Sequence, residues 1–213
     1  MNQIFRFVNQ ENAFMLQRDM APKVDCVDDP GFNPRLVCGI DVSYDGDTGF
    51  VAAAVWDVER RLYLENITAK AKTSTRYVPG LLGFREGPLL AGISRKLQSR
   101  PDVFLVDGHG VAHPRRFGLA CQFGIAIDHP TVGVAKSLLY GRPENGMVVD
   151  PQGNNIGGII TTTYGKRFYV SIGHRVSLET ACRLVKDCIL DGHPAPLRKA
   201  HIESQTLRRR ELL

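Results

Sequence analysis

The chain has 213 residues, 43% of them hydrophobic and 23% charged, with a formal net charge of +5. That composition is globular. It is long enough for one domain burying roughly 70–75% of its unfolded surface, and it excludes a disordered chain. The five cysteines, Cys26, Cys38, Cys121, Cys182 and Cys188, show no C-x-x-C spacing. This argues against a zinc site and for reduced thiols in a cytosolic protein.

The modest positive charge is compatible with a polyanionic partner without requiring one. Residues 1–20 carry Arg6, Glu11, Arg18 and Asp19 through a weak apolar pattern, unlike a signal peptide. No run is long and apolar enough to span a bilayer.

In chain order, Ile4, Phe7, Val8, Phe14 and Met15 fall at helical spacing and predict a helix over residues 3–20. A loop with Pro22, Pro30, Gly31 and Pro34 follows. Three strands, 36–44, 50–58 and 62–72, are separated by short turns and form an antiparallel meander. Leu89, Leu90, Ile93 and Leu97 mark one face of a helix over 86–98. Val103–Val106 is an apolar run between Pro101 and Gly108, the pattern of a strand buried on both faces. A helix near 117–127 and a strand at 131–135 come next. Shorter strands near 147–149, 156–163 and 167–172 precede a helix over 177–190 that Ser177 caps. A basic helix over 197–211 closes the chain. This β-β-β-α-β-α-β order predicts an α/β fold: one ribonuclease-H-like mixed sheet flanked by helices, a single domain, with strand 103–107 beside strand 36–44.

Three acids stand where that plan brings them together. Asp41 interrupts an apolar strand, Asp107 ends the neighbouring one, and Glu86 opens a helix. Taken singly, each has an ordinary reading: a strand-end acid bonded to backbone, a turn acid before Gly108, a first-turn Glu on the helix dipole. Taken together they repel. Two carboxylates ~4 Å apart at an effective dielectric of ~20 cost roughly 4 kcal/mol. Protonation or a cation must relieve that, and hard oxygen ligands suit Mg²⁺ or Mn²⁺. Lys136, at the carboxyl end of strand 131–135, can contact a phosphate or simply be solvated. His109 and His113 lie close to Asp107, although a lone histidine is more often a satisfied core or surface residue. Arg115, Arg116, Arg198, Lys199 and Arg208–Arg210 are candidate phosphate contacts or a solvated charged face.

Four stretches carry a resemblance: Gly39–Tyr44, Tyr77–Glu86, Val106–Gly118 and Pro130–Lys136. They closely resemble endonuclease V, over roughly residues 36–201. The resemblance implies a ribonuclease-H-like nuclease that nicks DNA, or in some members RNA, near deaminated purines, chiefly hypoxanthine. It further implies a cut at the second phosphodiester 3′ of the lesion, leaving 3′-hydroxyl and 5′-phosphate ends. By the same resemblance Asp41, Glu86 and Asp107 bind metal, Lys136 is the active-site lysine, and His201 lies near the metal. Tyr77 belongs to a strand-separating wedge, and Gly80, Leu82, Gly108, Gly110, His113 and Gly133 line the base pocket. Arg76 stands where the wedge usually begins with Pro, and Ala195 and Leu197 interrupt the usual Pro-Glu-Pro-Thr-Arg motif.

Glycine backbone can read a purine edge without side chains, and a flipped base is reachable where a stacked one is not. The expected partner is deoxyinosine-containing DNA, with inosine RNA also compatible, and the protein is expected to be a monomer. Two other readings remain open. A junction resolvase or related nuclease would share the acids without the wedge or pocket. A nucleic-acid-binding module would gain nothing from three repelling acids.

Overall fold

The computed structural model describes residues 3–73 and 75–212. Its centre is a nine-stranded mixed sheet in the order β3-β2-β1-β4-β5-β9-β8-β7-β6. The strands β1 (Leu36–Asp45), β2 (Thr48–Asp57) and β3 (Leu62–Lys72) form the antiparallel meander. Next to β1, β4 (Val103–Asp107) and β5 (Thr131–Ala135) run parallel to it and to each other. β9 (Arg167–His174) and β8 (Asn155–Thr161) return antiparallel, followed by β7 (Met147–Val149) and β6 (Arg142–Glu144). The expected neighbours, strands 36–44 and 103–107, do pair, in the register Val37↔Val103 to Ile40↔Val106.

Strand alternation sorts the side chains between two layers. Cys38, Ile40, Val51, Ala53, Phe104 and Val106 pack against α2 (Leu82–Ser94) and α3 (Leu119–Ile127). Val37, Val103, Leu105, Val132 and Val134 face α4 (Leu178–Asp187) and the first turn of α5 (Ala195–Glu211). Gly39 lies on the second face, and a Cβ there would stand 2.1 Å from the Pro196 carbonyl carbon. Ala52, Ala54 and Ala200 form a small buried cluster beside it. These small residues let α5 lie directly on the sheet, which brings its side chains to the end of β1.

The helix boundaries differ most from the sequence pattern. The first helix splits into a 3-10 turn, Gln3–Phe5, and α1 (Gln10–Met20). Asn9 caps α1 by accepting from the Asn12 N–H at 2.9 Å, so the helix cannot extend backwards through it. The second, α2, begins at Leu82 and encloses Pro88, because burial of Gly83, Phe84 and Arg85 outweighs the proline's missing donor. It ends at Ser94, where the chain turns and the Glu65 carboxylate takes the Gln98 and Ser99 N–H groups. Ser177 caps α4 as expected, accepting from Thr180 N–H, but the helix stops at Asp187. The segment beyond it forms a small two-stranded sheet, β10 (Ile189–Leu190) with β11 (His193–Pro194). Arg142–Glu144 is a strand the sequence did not suggest.

Candidate active site

Asp41 and Asp107 lie one residue beyond the last paired positions of β1 and β4, on the face covered by α5. Asp41 is 8% exposed. Its Oδ2 is 3.0 Å from His201 Nδ1 and accepts from the Ser204 hydroxyl at 3.0 Å, both from α5. Gln205 stands one turn on, its Nε2 2.9 Å from His201 Nε2. Asp107 accepts from Lys136 Nζ at 2.7 Å. Lys136 directly follows β5, whose Val134 pairs with Asp107.

Glu86 approaches from the other face, on the second turn of α2 rather than at its start. Burial raises its carboxyl well above the usual range, and the charges of Asp41 and Asp107 add to that. Asp41 is raised in the same way, by burial first and by Asp107 second, with His201 and Ser204 opposing. The acids therefore straddle the sheet edge, two carboxylates on the α5 face and one on the α2 face.

Donor atoms of Asp41, Asp107 and His201 all lie within 4.8 Å of one another. Two carboxylates and an imidazole at that spacing, with a third carboxylate behind them, fit a divalent cation. Burial first, and repulsion between the acids second, raise these two carboxyls, and a bound cation would relieve the repulsion.

On the α2–α3 side of the same edge is a cavity of about 180 Å³, lined in part by Tyr77, Gly80, Leu82, Gly108 and His113. Of the residues expected in the base pocket, Gly110 and Gly133 do not line it. They sit behind it, where a Cβ on Gly133 would stand 2.5 Å from Gly110 N, so this close contact sets how near the 108–110 loop lies to β5. Ser137, Leu138 and Leu139, just after Lys136, complete the wall. The cavity also has His109, whose Nδ1 is buried with no hydrogen-bond partner. Tyr77 stands at the mouth, 65% exposed.

A buried polar network that the sequence reading missed shapes the pocket. The Gly80 carbonyl, on a residue with φ +78°, accepts from Gln17 Nε2 at 2.9 Å and from Arg115 Nη2 at 3.1 Å. His113 Nε2 is 2.9 Å from the same oxygen, and His113 Nδ1 accepts from the Arg115 N–H at 3.2 Å. The second contact fixes the tautomer, so Nε2–H is the donor to Gly80. Burial, then the Arg115 charge, push this imidazole down to about 4, so it is neutral at physiological pH. Gln17 also donates to Phe117 O at 3.0 Å and accepts from Arg115 Nε at 2.6 Å.

Arg115 and Arg116, expected at phosphates, are both engaged inside the fold. Arg115 lies over the Phe14 ring at 3.9 Å, and Arg116 pairs with buried Asp150 at 2.8 Å. Arg85, also missed, donates to Thr75 O at 2.6 Å and Gly46 O at 2.9 Å, anchoring the loop that carries Tyr77. An isolated Gln or Arg in a helical pattern reads as surface; only the amphipathic inward face of α1 at Ala13 and Gln17 hinted otherwise.

A mixed sheet with parallel central strands, two acids at the carboxyl ends of neighbouring strands and a third from a covering helix define a nuclease of the ribonuclease-H-like class. Residues 18–202 match the Endonuclease V family. Among curated relatives, the endonuclease V of Desulfurococcus amylolyticus is 38% identical, covering 88% of this chain and 89% of the relative. That of Thermus thermophilus is 39% identical, covering 91% of each. The solved endonuclease V of Streptomyces avermitilis is 32% identical with a TM-score of 0.87, covering 97% of this chain and 96% of that one. A Ciona intestinalis endonuclease V bound to DNA containing an inosine followed by a ribo-adenosine has a TM-score of 0.86 at 25% identity. It covers 95% of this chain and 99% of that one. The chain belongs to the endonuclease V family, nucleases that hydrolyse phosphodiester bonds.

Proposed function

We propose that the protein nicks inosine-containing DNA at the second phosphodiester 3′ of the lesion, using Mg²⁺ or Mn²⁺, in a repair role. One observation carries this reading: the same two chain segments build both the acid cluster and the purine-sized cavity. Asp107 is a metal-site acid and Gly108 a pocket wall; Lys136 pairs with Asp107 and Ser137 is again pocket wall. Recognition and cleavage are therefore held at a fixed spacing by covalent continuity.

In this reading Asp41, Asp107 and Glu86, with His201 adjacent, hold the cation. When bound, it polarises the scissile phosphate and lowers the pKa of a bound water. Lys136 places a positive charge where negative charge develops on the phosphate. Gly80, Leu82, Gly108 and His113 line the base site, with Gly110 and Gly133 setting its depth from behind. Neutral His113 and Gln17 lock the Gly80 carbonyl, so the base meets a fixed surface. Tyr77 fills the gap left by the extruded base, which costs a few kcal/mol to unstack. Ser204, the serine at the acids, is fully buried and donates its hydroxyl to Asp41, so it is held as a structural donor and not as a covalent nucleophile.

Among the described residues no helix is long and apolar enough to cross a membrane. All five cysteines are free, which supports a reducing compartment such as the cytoplasm. The whole chain acts as one catalytic unit in this reading.

An RNA-directed reading has one observation behind it, the ribo-adenosine that follows the inosine in the strand bound by the Ciona relative. The deciding assay compares deoxyinosine duplex, deoxyinosine single strand and inosine RNA at one ionic strength with Mg²⁺. Deoxyinosine DNA is expected to be cut fastest. RNA cut much faster than both DNAs replaces repair with RNA processing. No cutting with either Mg²⁺ or Mn²⁺ ends the nuclease reading.

A further inference from the structure

A second cavity, of about 440 Å³, opens beside the acids on the α5 face of the sheet, opposite the purine pocket. Its floor is apolar, made by Val134, Phe168, Leu197 and Ile202. Its rim carries one acid, Asp107, paired with Lys136, and is otherwise cationic. Lys136 and Arg198 border it, and His193, in β11, sets its ring edge-on to Phe168. Lys166 Nζ reaches His193 Nε2 at 2.5 Å and adds a further positive charge. Arg198 is exposed and has neither a hydrogen bond nor an ion pair among the described residues. Burial, then the charges of Lys166, Arg198, Lys136 and His201, hold the His193 imidazole below its ordinary value. So much positive charge around one ring, over an apolar floor, is relieved by an anion carrying an apolar group.

The sheet dictates what reaches this cleft. Val134 and Leu105 point to the α5 face with Asp107, whereas Gly80, Leu82 and Leu119 belong to the α2–α3 side. A strand with its base in the purine pocket crosses the sheet edge at the acids. With its cut at the acids, that strand leaves 3′ of the cut from the sheet edge, where the α5-face cleft opens.

We propose that this cleft is a subsite for the strand 3′ of the cut, with Arg198 and Lys166 holding the next backbone phosphate and the apolar floor taking its sugar or base. Cations along the backbone with apolar surface under the bases are how single strands are held without sequence preference. The inference rests on the nuclease reading above and names the part of the substrate that the acids leave unaccounted for.

The test uses two labelled inosine strands identical up to the cut. One ends after a single nucleotide 3′ of it, so it lacks the next phosphate; the other continues for several nucleotides. Binding is read by fluorescence anisotropy in EDTA, and cleavage separately with Mg²⁺. The wild type is expected to bind the long strand on the order of tenfold more tightly, the size of one charge-assisted hydrogen bond. Arg198→Gln and Lys166→Gln each erase most of that difference, and Arg198→Lys restores it. Arg198→Gln also lowers the salt slope by about 0.7 on the long strand alone, the value for one phosphate on a single strand. An equal loss on both strands would place Arg198 at the scissile phosphate or in the fold and overturn the subsite, as would no loss on either. Failure of the nuclease reading shows elsewhere, as wild-type protein that binds these strands and cuts neither.

Discussion

Lys136 Nζ donates to Asp107 Oδ2 across 2.7 Å, from the end of one parallel strand to the end of its neighbour. The register that pairs Asp107 with Val134 sets this contact, so it is built by the sheet and not by a mobile loop. The lysine is 59% exposed and the acid 23%, so the pair contributes little to stability. Its worth lies in charge placement. Lys136→Gln is expected to lower kcat by ~10²–10³, the usual loss for one preorganised electrostatic group, while the melting temperature stays within a few degrees. Single-turnover nicking checks this, and activity within threefold of wild type would remove Lys136 from the chemistry.

Asp41 and Asp107 face the same α5 surface and repel each other and Glu86. Asp107→Asn is expected to abolish metal-dependent nicking while substrate binding survives or tightens, because one charge that repels phosphate is gone. Mg²⁺ or Mn²⁺ should raise the melting temperature of the wild type by mass action and leave that of Asp107→Asn nearly unmoved. Full activity in Asp107→Asn, or an equal thermal shift in both proteins, would contradict the assignment.

What the sequence made legible follows from which interactions are local. The meander, the 103–107 and 131–135 strands and the pairing of the first with β1 were readable, because apolar runs and right-handed crossovers determine them. Asp41 stood out because an acid inside Val37–Val42 has few structural uses. The start of α2 was misplaced because Gly87-Pro88 reads as a helix beginning, and only tertiary burial overrides it. Gln17, Arg85 and Ser204 were invisible because their partners, Gly80, Thr75 and Asp41, lie far away in sequence. The small residues Gly39, Ala52 and Ala54 carry a signal that hydrophobic periodicity does not read. They mark where α5 had to sit, and hence why Ser204 and His201 meet Asp41.

His113 is 1% exposed and its imidazole is pushed down to about 4. The folded protein therefore binds this proton less readily than the unfolded chain, whose histidine titrates near 6.5. The stability this group contributes is complete above pH 6.5 and is lost as pH falls toward about 4. Integrated over that range the loss is about 3 kcal/mol. Urea titrations at several pH values are expected to show stability falling across this window, with a shallower fall in His113→Gln. A His113 imidazole resonance that titrates near 6.5 in the folded protein would refute the neutral assignment.

Gln17 is 1% exposed and serves three groups at once, Gly80 O, Phe117 O and Arg115 Nε. Gln17→Leu keeps the volume and removes all three contacts. The Phe117 carbonyl is left without this donor, and such losses cost ~1–3 kcal/mol. Because the Gly80 carbonyl is also loosened, discrimination between inosine and plain strands should shrink along with stability. Measuring kcat/KM on matched strands separates the two effects. A variant destabilised by that amount with discrimination intact would make Gln17 a purely structural residue.

Tyr77 offers the opposite case. It is 65% exposed at the mouth of the cavity beside the acids, and its loop is held through Arg85 to Thr75 and Gly46 rather than through the ring. Removing the ring should leave the fold nearly untouched, within ~0.5 kcal/mol, as for most surface positions. If the ring fills the space of an extruded base, Tyr77→Ala should weaken binding to inosine-containing duplex by ~1–3 kcal/mol, the usual stacking magnitude. Single strands need no opening, so they should lose less. Tyr77→Phe keeps the stacking face and should bind like the wild type. The discriminating measurement is the ratio of dissociation constants, duplex over single strand, for the wild type and both variants. A ratio unchanged in Tyr77→Ala would deny the ring a wedge role and make neighbouring Arg76 the residue to test next.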